Sequence, residues 1–164
     1  MVCGQNGKTQ IRAQVFGSSG ICQSSLFPPG VTPQQVDDIT LPVVLVDWEK
    51  KALALSRLAN YSIQRPRFIA IALPGVWNWR GVIGKTAGPK GERINLKGPI
   101  PDLDRIRWMN MPEHRTVFIF FDLNVLSNAS VKAASRGLAH ELGKRGSHIL
   151  FINLPEDCGV ERHR

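Results

Sequence analysis

Apolar residues in this chain gather into four short runs, two of them followed by helical spacing, with one long stretch that keeps neither period. Pro42 to Val46 is a continuous apolar run of the kind buried on both faces of a sheet. In Glu49 to Asn60 the apolar Ala52, Leu55 and Ala59 recur at helical spacing instead. Arg67 to Leu73 predicts a second strand, stopped by Pro74-Gly75, and Thr116 to Phe121 a third. Val131, Ala134, Leu138 and Leu142 then share one helical face. Ser127 or Asn128 can cap that helix, Lys144 and Arg145 complement the negative end of its dipole, and Gly146 suits a left-handed stop. Ser147 to Leu154 gives a fourth strand, closed by Pro155. Strand, helix, strand, insertion, strand, helix, strand implies right-handed crossovers and a mostly parallel four-stranded α/β sheet with flanking helices.

Ahead of the first run, Ile11, Ala13 and Val15 alternate with Arg12 and Gln14. Gly17-Ser18-Ser19-Gly20 reads as a turn and Ile21 to Phe27 as extended, which predicts an N-terminal β-hairpin. Pro28-Pro29-Gly30 breaks the chain, and Thr32 as N-cap with Pro33 in the first position predicts a short helical turn over Gln34 to Asp38. The predicted organisation is residues 1–40 as hairpin and lead-in, 41–156 as the α/β domain and 157–164 as a tail. Val76 to Arg115, rich in Gly, Pro and Lys, lacks strong periodicity and is read as a long basic insertion between the second and third strands, of a length that tends to be functional or mobile.

At 164 residues, 43% hydrophobic and 21% charged, the chain suits one globular domain. No apolar run is long enough to span a bilayer and no signal peptide is evident, so membrane partners are not expected and the cytoplasm follows by default. Cys3, Cys22 and Cys158 form no paired motif and read as free thiols. The net charge of +8 changes the picture more, because such an excess favours polyanionic partners. Arg80, Lys85, Lys90, Arg93, Lys97, Arg105 and Arg107 all fall in or beside the long segment, with Trp77, Trp79 and Trp108 among them. Cations interleaved with flat aromatics grip single strands of DNA or RNA by phosphate pairing and base stacking. The competing reading has the tryptophans plugging the core edge while the cations stay solvated.

Candidate chemistry sits where strands end. Val43 to Val46 runs into Asp47-Trp48-Glu49-Lys50-Lys51, and Val117 to Phe121 into Asp122-Leu123-Asn124. Beyond the carboxyl ends of parallel strands is where α/β sheets bind ligands and metals. Phosphoryl transfer needs hard oxygen ligands to hold Mg²⁺ against phosphate, with a carboxylate to manage protons. Asp47 or Glu49 would be the acid/base, and Asp122 with Asn124 the metal ligands. Lys50 and Lys51 beside them are expected to join the nucleic-acid contacts; alternatively, Glu49, Lys50 and Lys51 are only the solvated first turn of a helix. Asp102 and Asp104, preceded by Pro99 and Pro101, suit a turn, and His140 and His148 have no partner at metal spacing. Gly81-Val82-Ile83-Gly84-Lys85-Thr86 imitates a phosphate-binding loop, but Trp79 holds a position that needs glycine, and Gly88-Pro89 follow where a helix should begin.

Pro28-Pro29-Gly30-Val31, Asp47-Trp48-Glu49-Lys50-Lys51-Ala52-Leu53, Leu73-Pro74-Gly75-Val76-Trp77-Asn78-Trp79-Arg80-Gly81, Pro101-Asp102-Leu103-Asp104 and Phe121-Asp122-Leu123-Asn124 occur in a telling order and spacing. From about Phe27 to Pro155 the chain resembles the Toprim-like domain of unknown function found in primase-like replication proteins of plasmids, phages and other mobile elements. The resemblance implies a Rossmann-like Toprim fold with a glutamate after the first strand and an Asp-x-Asp pair after the third gathered around Mg²⁺. This chain departs from that pattern: Asp47 stands at the first glutamate, Trp48 at the following glycine and Asn124 at the second aspartate. A site short of one negative ligand binds Mg²⁺ more weakly. Two functions are therefore expected: a weakened Mg²⁺-dependent phosphoryl-transfer domain of mobile-element replication, or a non-catalytic module that binds DNA or RNA and docks to other replication proteins.

Overall fold

The computed structural model describes residues 27–121 and 128–153. The predicted N-terminal hairpin, the end of the fourth strand at Leu154 and the tail lie outside them. The architecture is mixed α/β: a four-stranded parallel sheet with helices on its faces. β1 (Val43–Val46) and β2 (Ile69–Ala72) are buried at every position, which is why both sequences run apolar without alternation. β7 (Thr116–Phe120) lies on the other side of β1, and β8 (His148–Phe151) forms the outer edge, in the order β2-β1-β7-β8. Val43 pairs with Ile69 on one side and Val117 on the other, and Val46 with Ala72 and Phe120.

The connections from β1 to β2 and from β7 to β8 each run through a helix. α2 (Glu49–Ala59) follows β1 and packs Ala52 and Leu55 against Val44, Val46, Ala70 and Ala72. α3 (Ala129–Lys144) packs Leu138 and Leu142 on the opposite face, in the cluster holding Val43, Leu45, Val117 and Ile119. The side chain of Asn128 caps α3 by accepting from Ser130 N at 3.0 Å. Gly146 follows α3 with φ +85°, the left-handed conformation that glycine adopts without strain. The short α1 (Pro33–Asp37) carries a capping box: Thr32 Oγ1 accepts from Gln35 N at 3.3 Å, and Gln35 Oε1 accepts from Thr32 N at 3.0 Å.

The stretch between β2 and β7 is more ordered than its weak periodicity predicts. β3 (Arg80–Ala87) and β4 (Arg93–Pro99) form an antiparallel hairpin, followed by a 3-10 turn at Pro101–Arg105 and a small ladder of β5 (Met109–Asn110) with β6 (Glu113–His114). Arg115 ties this stretch to the body. Its guanidinium is fully buried and donates to the carbonyls of Leu41 at 2.8 Å, Gln35 at 3.0 Å and Arg107 at 3.1 Å, and to that of Val36. Burial pushes its pKa down to about 10, so it stays cationic at neutral pH.

Candidate nucleic-acid interface and acidic rim

Strand order reverses between β1 and β7, since the first crossover leads away to β2 and the second to β8, with α2 and α3 on opposite faces. The crevice beyond the carboxyl ends of that pair is the favoured ligand position in an α/β sheet. Asp47 is the first residue past β1 and is 5% exposed. Its Oδ1 is held by Lys51 Nζ at 2.7 Å, one helical turn later, and the same ammonium lies 5.8 Å from the centre of the Phe120 ring on the neighbouring strand. The acidic group proposed for proton transfer is thus already paired with an internal cation. Glu49 and Lys50 are exposed on the first turn of α2, and Trp48 is exposed at its N-cap.

Asp122 and Asn124, the expected metal ligands, lie outside the described residues. Among the described residues no group of three or more His, Cys, Asp or Glu is placed to hold a metal ion. Mg²⁺ needs several hard oxygens, and on the described rim Asp47 and Glu49 alone do not supply them. Asp104 instead accepts an ion pair from Arg145 at 2.8 Å, and Asp102 lies 3.6 Å from Arg105.

The three tryptophans expected to stack bases part company: Trp108 is buried and donates to the Leu103 carbonyl at 2.7 Å. Trp79 is 5% exposed and packs in the α3-side core, where the ring approaches Gly137 so closely that a Cβ there would stand 3.0 Å from Cζ2. Such a ring cannot receive a base without leaving the core, so Trp79 follows the alternative in which tryptophan seals the core edge. Trp77 is 40% exposed, and its Nε1 donates to Ser130 Oγ at 3.1 Å. Arg80 lies over the Trp79 ring at 5.5 Å and stays exposed, so the ring props a surface cation from below.

Arg80, Lys85 and Arg93 lie on β3 and β4 and Lys90 on the turn between them, and the pairing register sorts their faces. Side chains alternate along a strand, and directly opposed residues share a face. Arg80 opposes Pro99, Val82 opposes Lys97, Lys85 opposes Asn95 and Ala87 opposes Arg93. One face therefore carries Arg80, Lys85, Arg93 and Lys97 and no acid. A register shift at Ile83 keeps this so: with Gly84 it opposes Leu96, and the extra residue restores the phase that would otherwise send Lys85 to the other side. That other face holds Ile83, Leu96, Ile94 and Thr86 with glycines, and it is uncharged. Lys85, Lys90, Arg93 and Lys97 are exposed, and among the described residues neither they nor Arg80 have an ion-pair partner. Lys97 joins the site that the other cations suggested; only the strand register reveals its alignment with them.

Among the described residues no helix is long and apolar enough to cross a membrane. The family described as a domain of unknown function (DUF3854) matches residues 34–161, which cover most of the chain, and the chain belongs to that family. No curated protein and no solved structure matches it.

Proposed function

We propose that this DUF3854 member is a Toprim-like, Rossmann-like module of primase-like mobile-element replication that binds nucleic acid through the basic face of its β3–β4 hairpin. The observation that carries the proposal is the row of Arg80, Lys85, Arg93 and Lys97 on one face of an exposed hairpin, with no acid on either strand; Glu92 lies in the turn, where its carboxylate accepts from Lys90 N at 2.9 Å. Four like charges held side by side repel one another, and a polyanion relieves that repulsion while releasing its own counterions. Lys50, exposed beside the acidic rim, adds to the same field. The order of the sheet, with its reversal at Asp47, supports the Toprim-like part of the reading.

The acidic rim supports a weakened site rather than a working one. Lys51 already neutralises Asp47 at 2.7 Å, and Asn124 stands where a second carboxylate would add charge. When bound, Mg²⁺ would supply charge neutralisation at phosphate oxygens, with Asp122 as its principal ligand and Asn124 offering a carbonyl oxygen. Asp47 and Glu49 would manage protons there. This second reading, Mg²⁺-dependent phosphoryl or nucleotidyl transfer, is favoured by one feature: a buried carboxylate at the switch point.

Calorimetric titration with MgCl₂, with Asp122→Ala as control, separates the two. Salt-sensitive oligonucleotide binding without magnesium heat supports the binding module. Magnesium heat abolished by Asp122→Ala supports the enzyme, and the absence of both rejects the proposal.

A further inference from the structure

We infer that the β3–β4 hairpin is a two-stranded ribbon that lies in the major groove of duplex DNA with its basic face inward. The inference rests on the nucleic-acid reading above and names its ligand. Three features carry it: shape, the chemistry of the inward face, and the absence of a stacking ring on either strand.

Among the described residues the hairpin is a sheet of two strands joined to no third, so its width is that of a single ribbon. The major groove of B-form DNA, about 12 Å wide, admits such a ribbon. The deep, narrow major groove of A-form RNA does not. β4 spans seven residues, which at about 3.3 Å each makes an arm of roughly 23 Å. Arg93 and Lys97, four residues apart on the same face, are then separated by about 13 Å, close to four base-pair steps of about 3.4 Å.

The inward face also has the composition of a base reader. Asn95 lies between Arg93 and Lys97 and opposite Lys85. Arginine and lysine donate to guanine O6 and N7, and asparagine pairs bidentately with adenine. An amide at the centre of a cationic row can bond a phosphate, and unlike its neighbours it also offers a base both a donor and an acceptor. Single strands, in contrast, are held on exposed aromatic faces, and neither β3 nor β4 carries an aromatic residue. The opposite face, with Ile83, Ile94 and Leu96, offers phosphates nothing, so the ribbon has one orientation on DNA.

The test is fluorescence anisotropy of the full chain with a labelled 20-base-pair DNA duplex, one of its separated strands, and the RNA duplex of the same sequence. Dimethyl sulfate footprinting of guanine N7 accompanies it. The duplex DNA is expected to bind at least tenfold tighter than the other two, with N7 protected. Lys85→Ala/Arg93→Ala/Lys97→Ala is expected to lower the slope of log K against log salt by about 3 and the affinity by more than tenfold. Thr86→Ala, on the far face, should leave affinity unchanged; the single Lys85→Glu variant repeats the test with one substitution, and circular dichroism confirms that each variant is folded. Equal or tighter binding to the single strand or to RNA overturns the groove proposal while the nucleic-acid reading stands. Unprotected N7 in a bound duplex, or an equal loss from Thr86→Ala, also overturns it. No binding to any of the three overturns both readings.

Discussion

Replacing Arg115 with methionine should remove the strongest single tie between the β-sheet and the segments that wrap it. The native guanidinium is fully buried and donates to four carbonyls, on Gln35, Val36, Leu41 and Arg107. Hydrogen bonds from a charged donor contribute about 1.5–3 kcal/mol each, which would sum to well over 5 kcal/mol if additive. The same burial that pushes the guanidinium pKa down to about 10 is a desolvation cost, and it offsets part of that sum. Methionine fills much of the volume without the charge but leaves the carbonyls without a donor. The expected net loss is about 3–5 kcal/mol. Arg115→Lys keeps the charge, but a single ammonium cannot reach carbonyls that the planar fork meets on several sides, so it should still lose about 2–3 kcal/mol. Urea denaturation followed by circular dichroism reads both. A loss below about 1 kcal/mol for Arg115→Met would show that the four bonds contribute no net stability, and would refute the reasoning.

Further expectations concern the rim, the helix end and the acid limb. Lys51→Met should destabilise the protein by about 2 kcal/mol, because it strands the carboxylate of Asp47; adding Asp47→Asn should restore part of the loss, and a denaturant double-mutant cycle measures that coupling. Gly146→Ala should cost about 1–3 kcal/mol in thermal unfolding, since it forces a side chain to φ +85° and drives its Cβ into Met109. Hydrogen bonding from Thr40, opposed by burial and aided by Arg65, holds the Asp38 carboxyl below its ordinary 3.8. A carboxylate with a depressed folded pKa gives stability that is present above 3.8 and lost as pH falls through the folded value, so Thr40→Val should raise the Asp38 midpoint in an NMR pH titration and blunt that acid-side loss.

The sheet was legible because strands buried on both faces must be apolar throughout, and Val43–Val46 and Ile69–Ala72 are. The α3 limits were legible for local reasons: an amide at Asn128 to satisfy free backbone donors, and a glycine where φ turns positive. The hairpin was hidden by its own composition. Gly81, Gly84 and Gly98 interrupt its alternation, and the bulge at Ile83 shifts the phase midway, so no period of two survives in the sequence. Arg115 was illegible for a different reason: its partners at residues 35, 36, 41 and 107 converge only in three dimensions. Trp79 carried the signal of a stacking ring, and the close approach that buries it depends on the absent side chain of Gly137, well over one strand away. At the acidic rim the sequence placed Asp47 at a strand end and Lys51 in a helix's first turn, and only the structure shows that the two close at 2.7 Å.

The most direct test of where this protein meets nucleic acid is a backbone amide NMR titration with duplex DNA. Shifts concentrated on residues 80–99, strongest at Lys85, Arg93, Asn95 and Lys97, are the predicted result. Shifts concentrated instead on residues 47–51, with the hairpin unmoved, would contradict the account.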